Sequence, residues 1–143
     1  MKRHSIFFLF ILCCSCADDG DVDCSSALPP PNWFEIGFFD TNGNALIGTT
    51  YNQETFRLYN SSEETFISKV PFSSPEYLQV RFDSINPQTE YFLELSATDQ
   101  DTLVFDFSLS NGPCFSWFVL EGLTYNGDEI PLSDNSRIDL IKE

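Results

Sequence analysis

Apolar and polar residues alternate along most of the chain. In YLQVRFDS (77–84), Leu78, Val80 and Phe82 fall on one side, and Gln79, Arg81 and Asp83 on the other. YFLELSA (91–97) sets Tyr91, Leu93 and Leu95 against Glu94 and Ser96. DTLVFDFSLS (101–110) sets Leu103, Phe105, Phe107 and Leu109 against Asp106 and Ser108. Successive side chains of a strand point to opposite faces, so a period of two predicts half-buried strands. WFEIGFF (33–39) predicts another, with Phe34, Ile36 and Phe38 inward. ALIGTT (45–50), TFRLY (55–59), TFISKV (65–70), DEIPL (128–132) and RIDLI (137–141) read the same way. CFSWFVLEGLTY (114–125) is apolar on both faces, as a central strand is.

Polar turns punctuate this pattern. Asp40 to Asn44, Asn60 to Glu64 and Asn86-Pro87 break the chain, and Asn126-Gly127 is the strongest hairpin signal in it. That pair predicts a tight return from the long strand into DEIPL. Ser74-Pro75-Glu76 offers a helix start, but the residues after it alternate, so no helix is expected. Eight or nine of these segments as strands, separated by polar turns, predict an all-β domain. The economical arrangement is an antiparallel β-sandwich, immunoglobulin-like or transthyretin-like, with a small barrel as the alternative.

The first twenty residues follow another rule. Lys2 and Arg3 precede the unbroken apolar run Ile6 to Leu12. A membrane span needs about 20 apolar residues, so this run predicts a cleaved secretory signal over residues 1–15. Ser15 places a small residue directly before Cys16. That arrangement resembles the lipobox of bacterial lipoproteins, with Cys13 where the pattern has an aliphatic residue. The resemblance implies that Cys16 is acylated, palmitate being one of its chains, and becomes the first mature residue. Cys14, preceded by Ile11, Leu12 and Cys13, is the alternative site. Two or more acyl chains hold a protein on a membrane, whereas one holds weakly.

Residues 16–32 read as an acidic, proline-rich tether, ending in Pro29, Pro30 and Pro31. Residues 33–143 read as the sandwich domain. Ala17-Asp18-Asp19 is similar to the acidic export signal of Bacteroidota lipoproteins, which implies an outer-membrane or cell-surface location. Residues 93–130 also resemble small Bacteroidota lipoproteins of no assigned activity. In these a strand beginning Asp101-Thr102-Leu103 leads to a cysteine, here Cys114, and then to the hairpin Tyr125-Asn126-Gly127. The resemblance implies no catalytic residues.

Charge and cysteine content narrow the function. The chain carries 22 acidic and seven basic residues, net −15. Removing Lys2 and Arg3 with the leader takes the net charge from −15 to −17, which argues against a nucleic-acid partner. Loss of Cys13 and Cys14 and acylation of Cys16 leave Cys24 and Cys114, which an exported chain would join as a disulfide, a buried free pair being the alternative. The single histidine, His4, lies in the leader. The mature chain therefore has no Ser-His-Asp or Cys-His machinery and no His-ligated metal.

Few candidate sites remain. Asp99 and Asp101, with Asp128 and Glu129 near in the pattern, are the first choice for a metal ion or for acid–base work, against the simpler reading of a turn. DTNGN (40–44) has oxygens at alternate positions like a calcium loop. Ala45 and Tyr51 stand where such a loop needs Gly and Glu, so it reads as a turn. Phe39 and Phe118 are candidate ligand-binding rings, because Phe38 and Trp117 take the inward places. No cofactor motif is present. The expectation is a non-enzymatic, membrane-anchored module with a binding or structural role and an envelope protein or glycan as partner. The alternatives are a small hydrolase built on Asp99, Asp101 and Asp106, and a carbohydrate-binding accessory protein.

Overall fold

A computed structural model describes residues 22–61, 64–65, 67–68, 75–132 and 137–142. The predicted leader, Cys16 and the first part of the predicted tether lie outside the described residues, as does half of the predicted strand 65–70. Ten strands occur among the described residues. They are β1 (Trp33–Phe39), β2 (Arg57–Tyr59), β3 (Glu64–Thr65), β4 (Ile67–Ser68), β5 (Tyr77–Arg81), β6 (Glu90–Ser96), β7 (Asp99–Asn111), β8 (Ser116–Tyr125), β9 (Asp128–Ile130) and β10 (Arg137–Ile141). A four-stranded sheet runs β10-β1-β5-β4 and a six-stranded sheet runs β3-β2-β6-β7-β8-β9. The two-residue strands β3 and β4 belong to different sheets, so the short segment containing them passes from one sheet to the other.

The two sheets bury one core between them. Phe34, Ile36 and Phe38 of β1, Leu78 and Val80 of β5 and Ile138 and Leu140 of β10 line the small sheet's inner face. Leu93 and Leu95 of β6, Leu103 and Phe105 of β7 and Leu120 and Leu123 of β8 face them. Ring contacts cross the gap: Phe34 to Phe105 at 5.4 Å and Phe38 to Tyr125 at 6.3 Å between centroids. The molecule is thus an all-β sandwich, and the period-two runs supply its inner faces as expected.

The pairing departs from a purely antiparallel plan at one place. β1 lies between β5, antiparallel, and β10, parallel, with Ile36 opposite Ile138 and Phe38 opposite Leu140. The last strand therefore lies beside the first strand of the domain. ALIGTT forms no strand. Its backbone folds into a turn in which Leu46 O accepts from Thr50 N and Tyr51 N, each at 2.9 Å, leaving two isolated bridges. Gly48 takes φ +81° there, a conformation that costs glycine little, and Ile47 is buried as a plug. Phe82 leaves β5 for a 3₁₀ turn (Phe82–Ser84), yet its ring stays in the core. The hairpin after β8 is as predicted, with Asn126 at φ 50° and Gly127 at φ 92°, the paired positive angles of a tight two-residue turn.

One irregularity resets a whole strand. Asp106 of β7 lies opposite Gly122, but Phe107 lies opposite Leu120. Glu121 is the extra residue of a bulge, and a bulge shifts which side chains face inward. Tyr125 and Leu123 point into the core on one side of it, Leu120 and Phe118 on the other.

Candidate functional site

The carboxylates of Asp99 and Asp101 come together at one end of the sandwich. Both lie on β7, two residues apart, on the face that continues inward through Leu103 and Phe105. Asp101 is 4% exposed, which is rare for a charged side chain without a partner. Its partners are three. Lys142 Nζ donates to Oδ2 at 2.6 Å, Tyr125 OH donates to Oδ2 at 2.9 Å, and Asn126 Nδ2 donates to Oδ1 at 2.8 Å. Lys142 Nζ also donates to Asp99 Oδ1 at 3.0 Å, and Tyr51 OH donates to Asp99 Oδ2.

Distant segments build this cluster. β7 supplies both carboxylates, β8 and its hairpin supply Tyr125 and Asn126, and the turn before β2 supplies Tyr51. Lys142 follows β10 directly, and its backbone N–H donates to Phe39 O at 2.9 Å, extending the parallel pairing with β1. Lys142 therefore ties the small sheet's last strand to the large sheet. Its ammonium also lies 5.7 Å from the centroid of the Tyr51 ring. Asn126 serves twice, since its Oδ1 accepts from Thr102 N at 2.8 Å while its Nδ2 serves Asp101.

The electrostatics follow from this packing. Burial works to raise the Asp99 carboxyl, but the bonds from Tyr51 and Lys142 outweigh it and hold the group below the usual carboxylate range. Burial, with the Asp99 bond and charge, pushes the Tyr51 phenol up. Burial, with the charge and bond of Asp101, does the same to Tyr125. Both phenols thus remain protonated donors. Sequence reasoning offered the two carboxylates to a metal ion; the cation they share is Lys142. Among the described residues no group of three or more His, Cys, Asp or Glu is arranged to hold a metal. Asp128 and Glu129 lie on β9, and it is the neighbouring Asn126 that reaches Asp101. At the other candidate loop, Asp40 Oδ1 accepts from the backbone N–H of Asn42 and Asn44, each at 2.8 Å, and Oδ2 accepts from Asn44 Nδ2. Those bonds, led by the Asn44 side chain, hold the Asp40 carboxyl low and make the loop a self-closed turn.

The two candidate ligand-binding rings sit in different places. Phe118 is on the inner face, its centroid 5.4 Å from Phe82 and 5.7 Å from Phe107. Counting back from Tyr125 by twos puts Trp117 inward, but the bulge at Glu121 reverses that phase. The expectation of an outward Phe118 is corrected by that one extra residue. Phe39 does lie on the outer face of the small sheet, where its ring meets Tyr77 edge-on at 5.8 Å. Gly37, between them, has no side chain. A Cβ there would stand 2.7 Å from both the Phe39 and the Tyr77 rings. Tyr77 lies across this gap and donates to Asp139 Oδ1 at 2.8 Å, one strand farther on. Burial and the Asp139 bond push the Tyr77 phenol up to about 12. Arg137 lies 4.5 Å over the Tyr77 ring and pairs with the buried Glu35 at 3.0 Å.

Cys24 and Cys114 form a disulfide with Cα atoms 5.4 Å apart. It fixes the tether to the turn between β7 and β8, at the opposite end of β7 from Asp99. Residues 25–31 are exposed and contain no strand. The third carboxylate considered from the sequence, Asp106, lies on the outer face of β7, away from Asp99 and Asp101. It lines a groove of about 570 Å³, together with Val104, Glu121, Gly122, Glu129 and Pro131 among others. Sequence alternation alone could have placed Asp101 inward, since it keeps phase with Leu103 and Phe105. No local signal announces Lys142, which is 41 residues away. Comparison with models of protein families, with curated proteins and with solved structures found no match to this chain.

Proposed function

We propose that this chain is a lipid-anchored lipoprotein of the bacterial cell envelope, held at the outer membrane or cell surface through acylated Cys16. Its β-sandwich acts there as a non-enzymatic module with a binding or structural role. The Cys24–Cys114 disulfide carries the reading, because such bonds persist in oxidising compartments and are rare in the cytosol. It agrees with the basic-then-apolar leader and with the small residue before Cys16.

The engagement of Asp99 and Asp101 supports a module over a hydrolase. Paired carboxylate catalysts need one group as acid and the other as base or nucleophile, both open to substrate. Here both accept from the same lysine, and Asp101 is buried beneath Tyr125 and Asn126. Phe118 packs, partly buried, against the core, which speaks against it as a stacking ring in the glycan-binding alternative and favours Phe39 as the candidate there.

Metabolic labelling with an alkyne fatty acid tests the anchor. The wild-type chain should take up label and sediment with membranes, and Cys16→Ser should do neither. Label retained in Cys16→Ser but lost in Cys14→Ser would move the anchor to Cys14. No label in the wild type would overturn the reading.

A further inference from the structure

We infer that the groove on the outer face of the large sheet binds an extended peptide segment bearing two cations and a small apolar side chain. This takes the binding role proposed above as its starting point and names the class of partner. The groove is a product of the bulge. Glu121 is the extra residue, and Gly122, next to it, lies opposite Asp106 with no side chain to fill the space between β7 and β9. Its volume, about 570 Å³, lies in the range of sites that hold small ligands or a few residues of chain. Gln88, which also lines it, takes φ 55°, an uncommon angle for a residue with a side chain. Its backbone N–H donates to Phe105 O at 2.8 Å, so this wall is held by the sheet itself.

The chemistry of the lining selects the occupant. Asp106 comes from β7 and Glu129 from β9, on either side of β8. Asp106 is opposite Gly122 and Glu129 is opposite Thr124, so both side chains share the outer face. Neighbouring strands are about 4.8 Å apart, and the two positions are also offset by two residues, about 6.7 Å, along the strands, which separates them by roughly 12 Å. One metal ion cannot touch both at that distance. An extended chain advances about 3.3 Å per residue and turns every second side chain the same way, so cations four residues apart along it, about 13 Å, match the spacing on one face. Val104 and Pro131 offer apolar surface beside the carboxylates. Glu121, whose Oε1 accepts from Ser108 Oγ, adds a third negative charge at the rim. Among the described residues no lysine or arginine lines the groove. Charge complementarity therefore favours a lysine- or arginine-bearing segment of a partner protein over an acidic or neutral one.

Fluorescence anisotropy tests this with the full chain purified in detergent, its disulfide intact. The probe is a labelled six-residue peptide with lysines at its first and fifth positions and alanines elsewhere. A peptide with glutamates at those positions and free spermidine serve as comparisons. The lysine peptide should bind, and tenfold more salt should weaken it markedly. Asp106→Asn combined with Glu129→Gln should weaken it at least tenfold. Asp23→Asn, which removes a charge on the exposed tether, should leave it within twofold. Gly122→Val should also abolish binding. A Cβ there stands 3.6 Å from Asp106 Cβ, an ordinary contact, and an unchanged far-ultraviolet circular dichroism spectrum and thermal midpoint show that the variant keeps the fold. Absence of binding at millimolar peptide, or binding indifferent to both the charge pair and Gly122→Val, would overturn the inference. Spermidine competing as well as the peptide would refute a peptide occupant and leave a cation site alone. These outcomes are independent of fatty-acid labelling, so failure here leaves the anchor reading standing.

Discussion

Replacing Lys142 by methionine is the sharpest perturbation of this fold. The methylene stem is kept and only the shared cation is lost. Asp101, 4% exposed, would keep its bonds from Tyr125 and Asn126 but lose its opposite charge. Removing one partner of a buried pair costs about 3 to 5 kcal/mol, mostly because the other charge is left uncompensated. The two remaining donors and the partial exposure of Asp99, 30%, place the expected loss near the lower figure, about 3 kcal/mol. For a domain of this size that is a fall in Tm of about 12 °C. The assay is thermal unfolding at pH 7 by far-ultraviolet circular dichroism, with the disulfide oxidised. Adding Asp101→Asn to Lys142→Met should restore at least half of the loss, since no buried charge remains unpaired. A loss under about 1 kcal/mol for Lys142→Met would mean that the cluster contributes no more than a surface pair and would refute the reasoning.

Three further expectations concern other parts of the molecule. The stabilising effect of Asp99 depends on pH in a definite direction. Its carboxyl lies below its unfolded value, so its contribution is full above about pH 4 and is lost as pH falls through the folded value; the stability gap between wild type and Asp99→Asn, from urea titrations, should shrink over that range. Cys24→Ser with Cys114→Ser opens a link spanning 90 positions, for which chain entropy predicts a loss of about 4 to 5 kcal/mol, read from urea midpoints of oxidised and double-mutant protein. Gly37→Ala should cost about 1 to 3 kcal/mol by driving a methyl into the Phe39 and Tyr77 rings, with Tyr77→Ala in the same background relieving part of it; an unchanged midpoint for Gly37→Ala would mean that the ring cover over this glycine is loose.

Much of the sandwich was legible because burial in a sheet imposes a period that the residues must obey. β1, β5, β6 and the first half of β7 read directly, and the Asn126-Gly127 turn was signalled by the two positive φ values that only such residues adopt readily. The limits of the reading have physical causes. Leu109 keeps the inward phase of β7 yet is 53% exposed, because β7 runs on past the core that the small sheet covers. ALIGTT has strand composition, but Gly48 and the amides folding onto Leu46 O make it a turn. The bulge at Glu121 carries no local mark beyond the adjacent Gly122, and that single residue reversed the reading of Trp117 and Phe118. The parallel β1–β10 pairing and the Lys142 clamp are long-range facts. Alternation says which face a residue takes and nothing about which distant strand lies beside it. Asp99 and Asp101 were thus found as a pair, while the lysine that defines their chemistry was not.

On the function proposed above, the chain joins an acylated N-terminus to a disulfide-stapled sandwich outside the cytoplasm. Intact-mass spectrometry of the protein extracted from its native membrane tests both parts at once. The expected chain begins at Cys16, carries the added mass of its acyl groups, and is two hydrogens lighter than the reduced form because Cys24 and Cys114 are joined. A chain still beginning at Met1, or one with an unmodified N-terminus and free thiols at Cys24 and Cys114, would contradict it.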